Sequence, residues 1–161
     1  MRPECKISVH QERLLAMTLH DEKSVTSLLV LFDGVCVLCD RSVRLLLRID
    51  RKELFKFAAL QGQTAADLLA RHPEIDPRNR SIIFVRNYGA GQEAIYLRSS
   101  AILEILSELG GLWKLAVLFK IIPAAFRDMV YDFIASQRYR WFGKQDQCRV
   151  PGTEVRDRFL P

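Results

Sequence analysis

Two cysteines three positions apart, in Cys36-Val37-Leu38-Cys39, carry the clearest chemistry in this chain. At that spacing the two thiols lie one helical turn apart, near enough to close a disulfide. A cysteine at a helix N-terminus faces unpaired backbone N–H groups and the positive end of the macrodipole, which favour the nucleophilic thiolate. Thiol–disulfide exchange follows as the expected chemistry. Cys36, taken as the exposed member, attacks a substrate disulfide to form a mixed disulfide, and a buried Cys39 resolves it. Asp33, three residues ahead of Cys36, has two open readings: a carboxylate that takes the proton of Cys39 during resolution, or an Asx-type turn or cap. Gly34 is expected to ease the turn with a backbone angle that other residues avoid.

The other two cysteines stand apart from this pair. Cys148 lies more than a hundred residues downstream. Three readings of it stay open: a third redox thiol, a third thiolate ligand, or an ordinary buried cysteine. Cys5, in a polar N-terminal stretch, reads as incidental. His10, His20 and His72 have no zinc-site spacing with the cysteines or with one another, so each reads as a surface residue. No metal or other cofactor is expected under the redox reading. The rival reading makes Cys36, Cys39 and Cys148 thiolate ligands of a metal or an iron–sulfur cluster in an interaction module.

The bulk numbers narrow the class. At 161 residues the chain is one domain in size and can bury a core without disulfide staples, so the cysteines need another purpose. With 49% hydrophobic and 27% charged residues, and no apolar run approaching 20 residues, it reads as a globular protein without a membrane span. Charges run through residues 1–23 and leave no room for a secretory apolar core, so a reducing cytoplasm is the expected compartment. The net charge of +5 is spread along the chain without a basic tract, and no nucleic-acid partner is expected.

The elements that must position the thiols are legible in outline. Residues 1–24 read as a loosely held extension and residues 25–161 as the domain. Leu28 to Phe32 is a short continuous apolar run, predicted as a buried strand, and Val43, Leu46 and Leu47 repeat at helical spacing after the cysteines. Arg41, Arg44, Arg48 and Arg51 form a stripe on the far side of that helix, read as a solvated face. A second strand at Leu54 to Leu60 completes a βαβ unit. A turn at Gln61 to Thr64 then supplies the N-cap of a helix over Ala65 to Arg71. Ser81 to Val85 and Ala94 to Leu97 form a predicted hairpin across a loop with Gly89 and Gly91. A helix capped by Ser99 or Ser100 carries Ile102, Leu103, Ile105, Leu106 and Leu109 to a stop at Gly110-Gly111. Leu112 to Ile122 reads as a core helix. Pro123 separates it from a last helix over Ala124 to Gln137, with Phe126, Met129, Val130, Phe133 and Ile134 at helical period.

Three separated motifs in order, Asp33-Gly34-Val35-Cys36-Val37-Leu38-Cys39, Phe57-Ala58-Ala59-Leu60-Gln61 and Tyr139-Arg140-Trp141-Phe142-Gly143, resemble the DCC family of predicted thiol-disulfide oxidoreductases. The resemblance spans about Leu28 to Leu160. It implies an α/β, thioredoxin-like fold, with Asp33, Cys36 and Cys39 at the site and a C-terminal helical addition bearing the aromatic Arg138 to Gly143 segment. It also implies that Cys148 returns toward the first two cysteines. The sheet is expected to hold about four strands. The implied partners are a disulfide-containing protein or a small thiol or disulfide, together with an unidentified electron donor. One departure stands out: where thioredoxins place a cis-proline beside the dithiol, this chain has Arg80-Ser81, which removes a ring that shapes the substrate groove.

Overall fold

The computed structural model describes residues 27–76, 81–145 and 153–161. Strand β1 (Leu28–Phe32) leads into helix α1 (Val37–Ile49), strand β2 (Phe55–Ala59) and helix α2 (Gln63–Arg71). A hairpin of β3 (Ile83–Arg86) and β4 (Ala94–Leu97) follows, then α3 (Arg98–Leu109), a 3-10 helix (Gly111–Ile121), α4 (Ala124–Phe142), a second 3-10 helix (Thr153–Arg158) and β5 (Phe159–Leu160). The sheet runs β4-β3-β1-β2-β5. β1 is parallel to β2 and antiparallel to β3, which is the thioredoxin-like arrangement of a βαβ unit beside a hairpin.

The sheet has five strands, one more than the sequence suggests. β5 is two residues long, parallel to β2, and too short to announce itself by periodicity. It is anchored by Arg158, just before it, which ion-pairs with Asp50 at the end of α1 and donates from Nε to the Phe55 carbonyl at 3.2 Å. Asp50 also accepts from the amides of Leu54 (3.1 Å) and Phe55 (3.2 Å), so one buried carboxylate ties the end of α1, the start of β2 and the C-terminus together. Removing one partner of a buried pair strands the other charge, at a cost of about 3–5 kcal/mol. Arg158→Ala is therefore expected to lower unfolding free energy by about that much in urea melts, and a loss below about 1 kcal/mol would contradict the anchoring role.

Alternation along β1 divides the core between the two faces of the sheet. Leu28, Val30 and Phe32 pack with Phe55, Phe57 and Phe84 beneath α1 and α3, while Leu29 and Leu31 pack with Ala58, Ala65 and Leu68 beneath α2. Phe55, Phe57 and Phe84 are fully buried, and each such side chain stabilises the fold by roughly 2–3 kcal/mol.

The expected caps are replaced by longer-range partners. The turn before α2 makes Gly62 the N-cap without any side-chain bond, and the Thr64 amide is taken instead by the Pro161 carbonyl at 2.8 Å. A Cβ on Gly62 would meet the Pro161 carbonyl carbon at 2.9 Å, so this close approach requires glycine. At α3 neither serine serves as N-cap. The helix starts at Arg98, and Asp128 of α4 accepts from both the amide and the hydroxyl of Ser99. His72 is the C-cap of α2 and is half-buried between Glu74 (2.9 Å) and Glu93 (2.8 Å), not free on the surface.

The largest departure is the segment read as a core helix. Gly110 (φ 73°) and Gly111 (φ 55°) redirect the chain into a 3-10 helix whose three-residue turn aligns Leu112, Leu115, Leu118 and Ile121 on one outward stripe. Leu112 is 79% exposed. Phe126, Met129, Val130 and Phe133 of α4 are also exposed, so the helical period read there marks an outward face. Among the described residues no helix is long and apolar enough to cross a membrane.

Candidate active site

The β1–α1 turn builds the site. Asp33 follows the fully buried strand β1, the Cys36 amide bonds back to its carbonyl at 3.2 Å, and α1 begins at Val37. Gly34 adopts no left-handed angle; its amide instead donates to the Gln61 side chain at 3.1 Å. Cys36 is the N-cap of α1, and its Sγ accepts the Cys39 amide N–H at 3.3 Å, taking one of the donors that a helix N-terminus leaves open. Both cysteines are free thiols.

Their exposure reverses the expectation. Cys36 is fully covered and Cys39 is partly exposed. The cover is the segment after α4. Gly143 (φ 83°) turns the chain back, Lys144 pairs with Cys36 as an isolated antiparallel bridge, and the Gln145 amide donates to the Val35 carbonyl at 3.0 Å. Burial pushes the Cys39 thiol up to about 12, reinforced by its hydrogen bond to Cys36 and the charge there, with Arg138 working the other way. Cys39 therefore keeps its proton near neutral pH.

Asp33 is the centre of the polar network. Its Oδ1 accepts from the Val35 amide (3.2 Å) and Gln61 Nε2 (2.9 Å), and its Oδ2 accepts from Arg138 (2.8 Å) and the Tyr139 hydroxyl. Burial alone would raise its affinity for a proton, but the bonds from Tyr139, Gln61 and Val35 and the Arg138 charge outweigh it and hold the carboxyl below its usual range. The contact to Val35 is the Asx-type turn that the sequence left open. Arg138, itself buried, stacks over the Tyr139 ring at 4.8 Å, and Lys144 lies 4.5 Å from the same ring.

Beside Cys39 the packing opens into a cavity of about 350 Å³ between the sheet, α1, α3, the first 3-10 helix and α4. Its wall is apolar except near Cys39, where Asp33, Ser42, Tyr131 and Arg138 reach it.

The structure thus brings Asp33, Cys36 and Cys39 together, as the sequence reading placed them. Cys148, Cys5, His10, His20 and the 1–24 extension fall outside the described residues. Among the described residues no group of three or more metal-ligating side chains occurs. Sequence reasoning assigned no role at the site to Arg138, Tyr131 or Gln61, the last being read only as part of a turn. Gln61, Arg138 and Tyr139 do stand inside the segments quoted for the resemblance, and that was the only signal available for them. No cis peptide occurs among the described residues, and Ser81, at the place of the thioredoxin proline, is buried.

Residues 30–144 match the DCC1-like thiol-disulfide oxidoreductase family. The chain is 38% identical over 139 residues to the uncharacterized protein YuxK of Bacillus subtilis, covering 86% of this chain and 98% of that one. It is 32% identical over 123 residues to a chloroplastic DCC family protein of Arabidopsis thaliana, covering 76% of this chain and 69% of the relative. No solved structure matches.

Proposed function

The chain belongs to the DCC1-like thiol-disulfide oxidoreductase family, and on that premise we propose that Cys36 and Cys39 are a working dithiol that reduces or exchanges disulfides through a mixed disulfide on Cys36. The observation that carries the assignment of roles is the hydrogen bond from the Cys39 amide to Cys36 Sγ at the start of α1, which directs a backbone donor at the sulfur that attacks. Cys39 holds its proton until it is needed. Part of what keeps it protonated is the charge and hydrogen bond of Cys36, and both vanish once Cys36 is bonded to substrate sulfur. Cys39 then becomes the better nucleophile at the moment of resolution.

Asp33 has the role of an anchor and not of the base. A carboxylate with four donors and a depressed proton affinity is a poor acceptor for a thiol proton, but it fixes Arg138, Tyr139 and Gln61 around the turn. The covered state of Cys36 adds a step: segment 143–145 swings away at Gly143 before a substrate reaches the sulfur. Substrates are a disulfide-bearing protein or small disulfide, and a separate electron donor restores the thiols. A reducing compartment such as the cytoplasm, or a plastid of the kind named for the plant relative, suits that cycle.

The test is a trap. Cys39→Ser protein mixed with oxidised glutathione is expected to gain the mass of one glutathionyl group, on Cys36, and to keep it. A stable adduct on Cys39 in Cys36→Ser protein, with none on Cys36 in Cys39→Ser protein, would reverse the roles.

A further inference from the structure

The cavity beside Cys39 has the form of a small-molecule site. About 350 Å³, an apolar wall and a few polar groups at one end fit the general pattern of ligand pockets. Its rim is partly open, since Leu45, Ile102, Trp113 and Ile134 line it and are each at least 40% exposed. The polar end shows what kind of ligand fits. Arg138 is buried at that end, and its guanidinium is engaged by Asp33 at 2.8 Å and the Tyr139 oxygen at 3.1 Å. The Tyr131 oxygen accepts the Ile82 amide at 3.0 Å, leaving its own O–H to donate, and burial raises the phenol so that this proton stays on.

The wall therefore offers a donor in the Tyr131 hydroxyl. Ser42 already gives its hydroxyl to the Leu38 carbonyl, and Asp33, the one carboxylate lining the cavity, already accepts four bonds. The ligand needs an apolar body with an acceptor oxygen for Tyr131. It should also be neutral, because the Arg138 charge is already matched by Asp33 and a further buried anion would be uncompensated.

The geometry points to a quinone bound in this cavity as a direct oxidant of the dithiol, an inference that rests on the redox reading of Cys36 and Cys39. A quinone is neutral and apolar, carries carbonyl acceptors, and takes two electrons. The step balances: the two S–H bonds break, the Cys36–Cys39 S–S bond forms, and the two electrons and two protons pass to the carbonyl oxygens to give a hydroquinone. Cys39 is the cysteine that lines the cavity, so the electrons leave from its side while segment 143–145 still covers Cys36. Exchange at Cys36 then runs in its oxidising direction, passing the Cys36–Cys39 disulfide to two substrate thiols, whose electrons leave through the quinone at Cys39, so the two steps use opposite sides of one dithiol.

The probe is decyl-ubiquinone, whose fully substituted ring does not add to thiols. With Trp141→Phe as background, Trp113 on the cavity wall reports binding by quenching. The expected result is saturable quenching, with reduced protein yielding one hydroquinone per Cys36–Cys39 disulfide. Ala135→Leu and Ala135→Phe, which fill the cavity by increasing amounts, should weaken binding stepwise, the larger by tenfold or more. Both should still be oxidised by glutathione disulfide, which also shows that they fold. Absence of saturable quenching, or quenching indifferent to both variants, would overturn the site. Binding without thiol oxidation would overturn the electron transfer. If glutathione disulfide also left the thiols free, the dithiol reading itself would fall; if it oxidised them, only the quinone proposal would.

Discussion

Replacing Cys36 with serine is expected to reduce turnover of a disulfide substrate by at least about 10³-fold, a loss of roughly 4 kcal/mol of transition-state stabilisation. A hydroxyl does not ionise near neutral pH and does not attack sulfur, and Cys39, the other thiol at the turn, keeps its proton. Stability should change little, because the serine Oγ can accept the Cys39 amide as an N-cap, the role the sulfur has in the native protein. Turnover measured with a chromogenic disulfide, beside a urea melt of the same variant, separates the two effects. Activity retained within a factor of a few would mean that Cys36 is not the attacking thiol.

Asp33→Ala is the second large effect, and it falls on the fold. Arg138 would be left buried without its counter-charge, and Tyr139, Gln61 and the Val35 amide would lose their acceptor, for a combined cost of about 3–5 kcal/mol. That is a large share of the ~5–15 kcal/mol that keeps a domain folded. The pairing is tested by a double-mutant cycle. Asp33→Ala with Arg138→Met should cost well under the sum of the single changes, because removing both partners strands no charge. Agreement with the sum within about 0.5 kcal/mol would show that the pair is not coupled.

The sign of the pH dependence follows from the same bonds. The folded carboxyl lies below its ordinary value, so the unfolded chain binds the proton more tightly. The stabilisation from Asp33 is complete above an unfolded value of about 4 and is lost as pH falls through the lower folded value. The acid limb of wild-type stability should shrink in Asp33→Ala.

Much of this site was legible because it is local. The apolar run Leu28 to Phe32, the turn and the Cys36–Cys39 spacing lie within a dozen residues, where chain geometry alone determines who is near whom. Asp33 could be placed but not given a role, since its proton affinity depends on Arg138 and Tyr139, more than a hundred residues away. The cover over Cys36 was illegible for the same reason: it comes from Lys144 and Gln145, brought back by a turn at Gly143. Serines near α3 carried a true capping signal that lost to Asp128, a tertiary partner with more charge to offer. The 3-10 segment misled differently. Leu112, Leu115, Leu118 and Ile121 repeat every three residues, a period that fits a 3-10 turn and that was taken for the apolar density of a core helix.

The central claim is that Cys36 and Cys39 cycle between dithiol and disulfide. The most direct measurement is a titration of the wild-type protein across glutathione buffers, with alkylation and mass reading the number of free thiols, and metal content measured on the same sample. A single two-electron transition that removes two thiols and maps to a Cys36–Cys39 bond, in metal-free protein, is the predicted result. Thiols that stay free across the whole range while the protein carries stoichiometric zinc or iron, lost in Cys36→Ser, would contradict it and make the pair a ligand set.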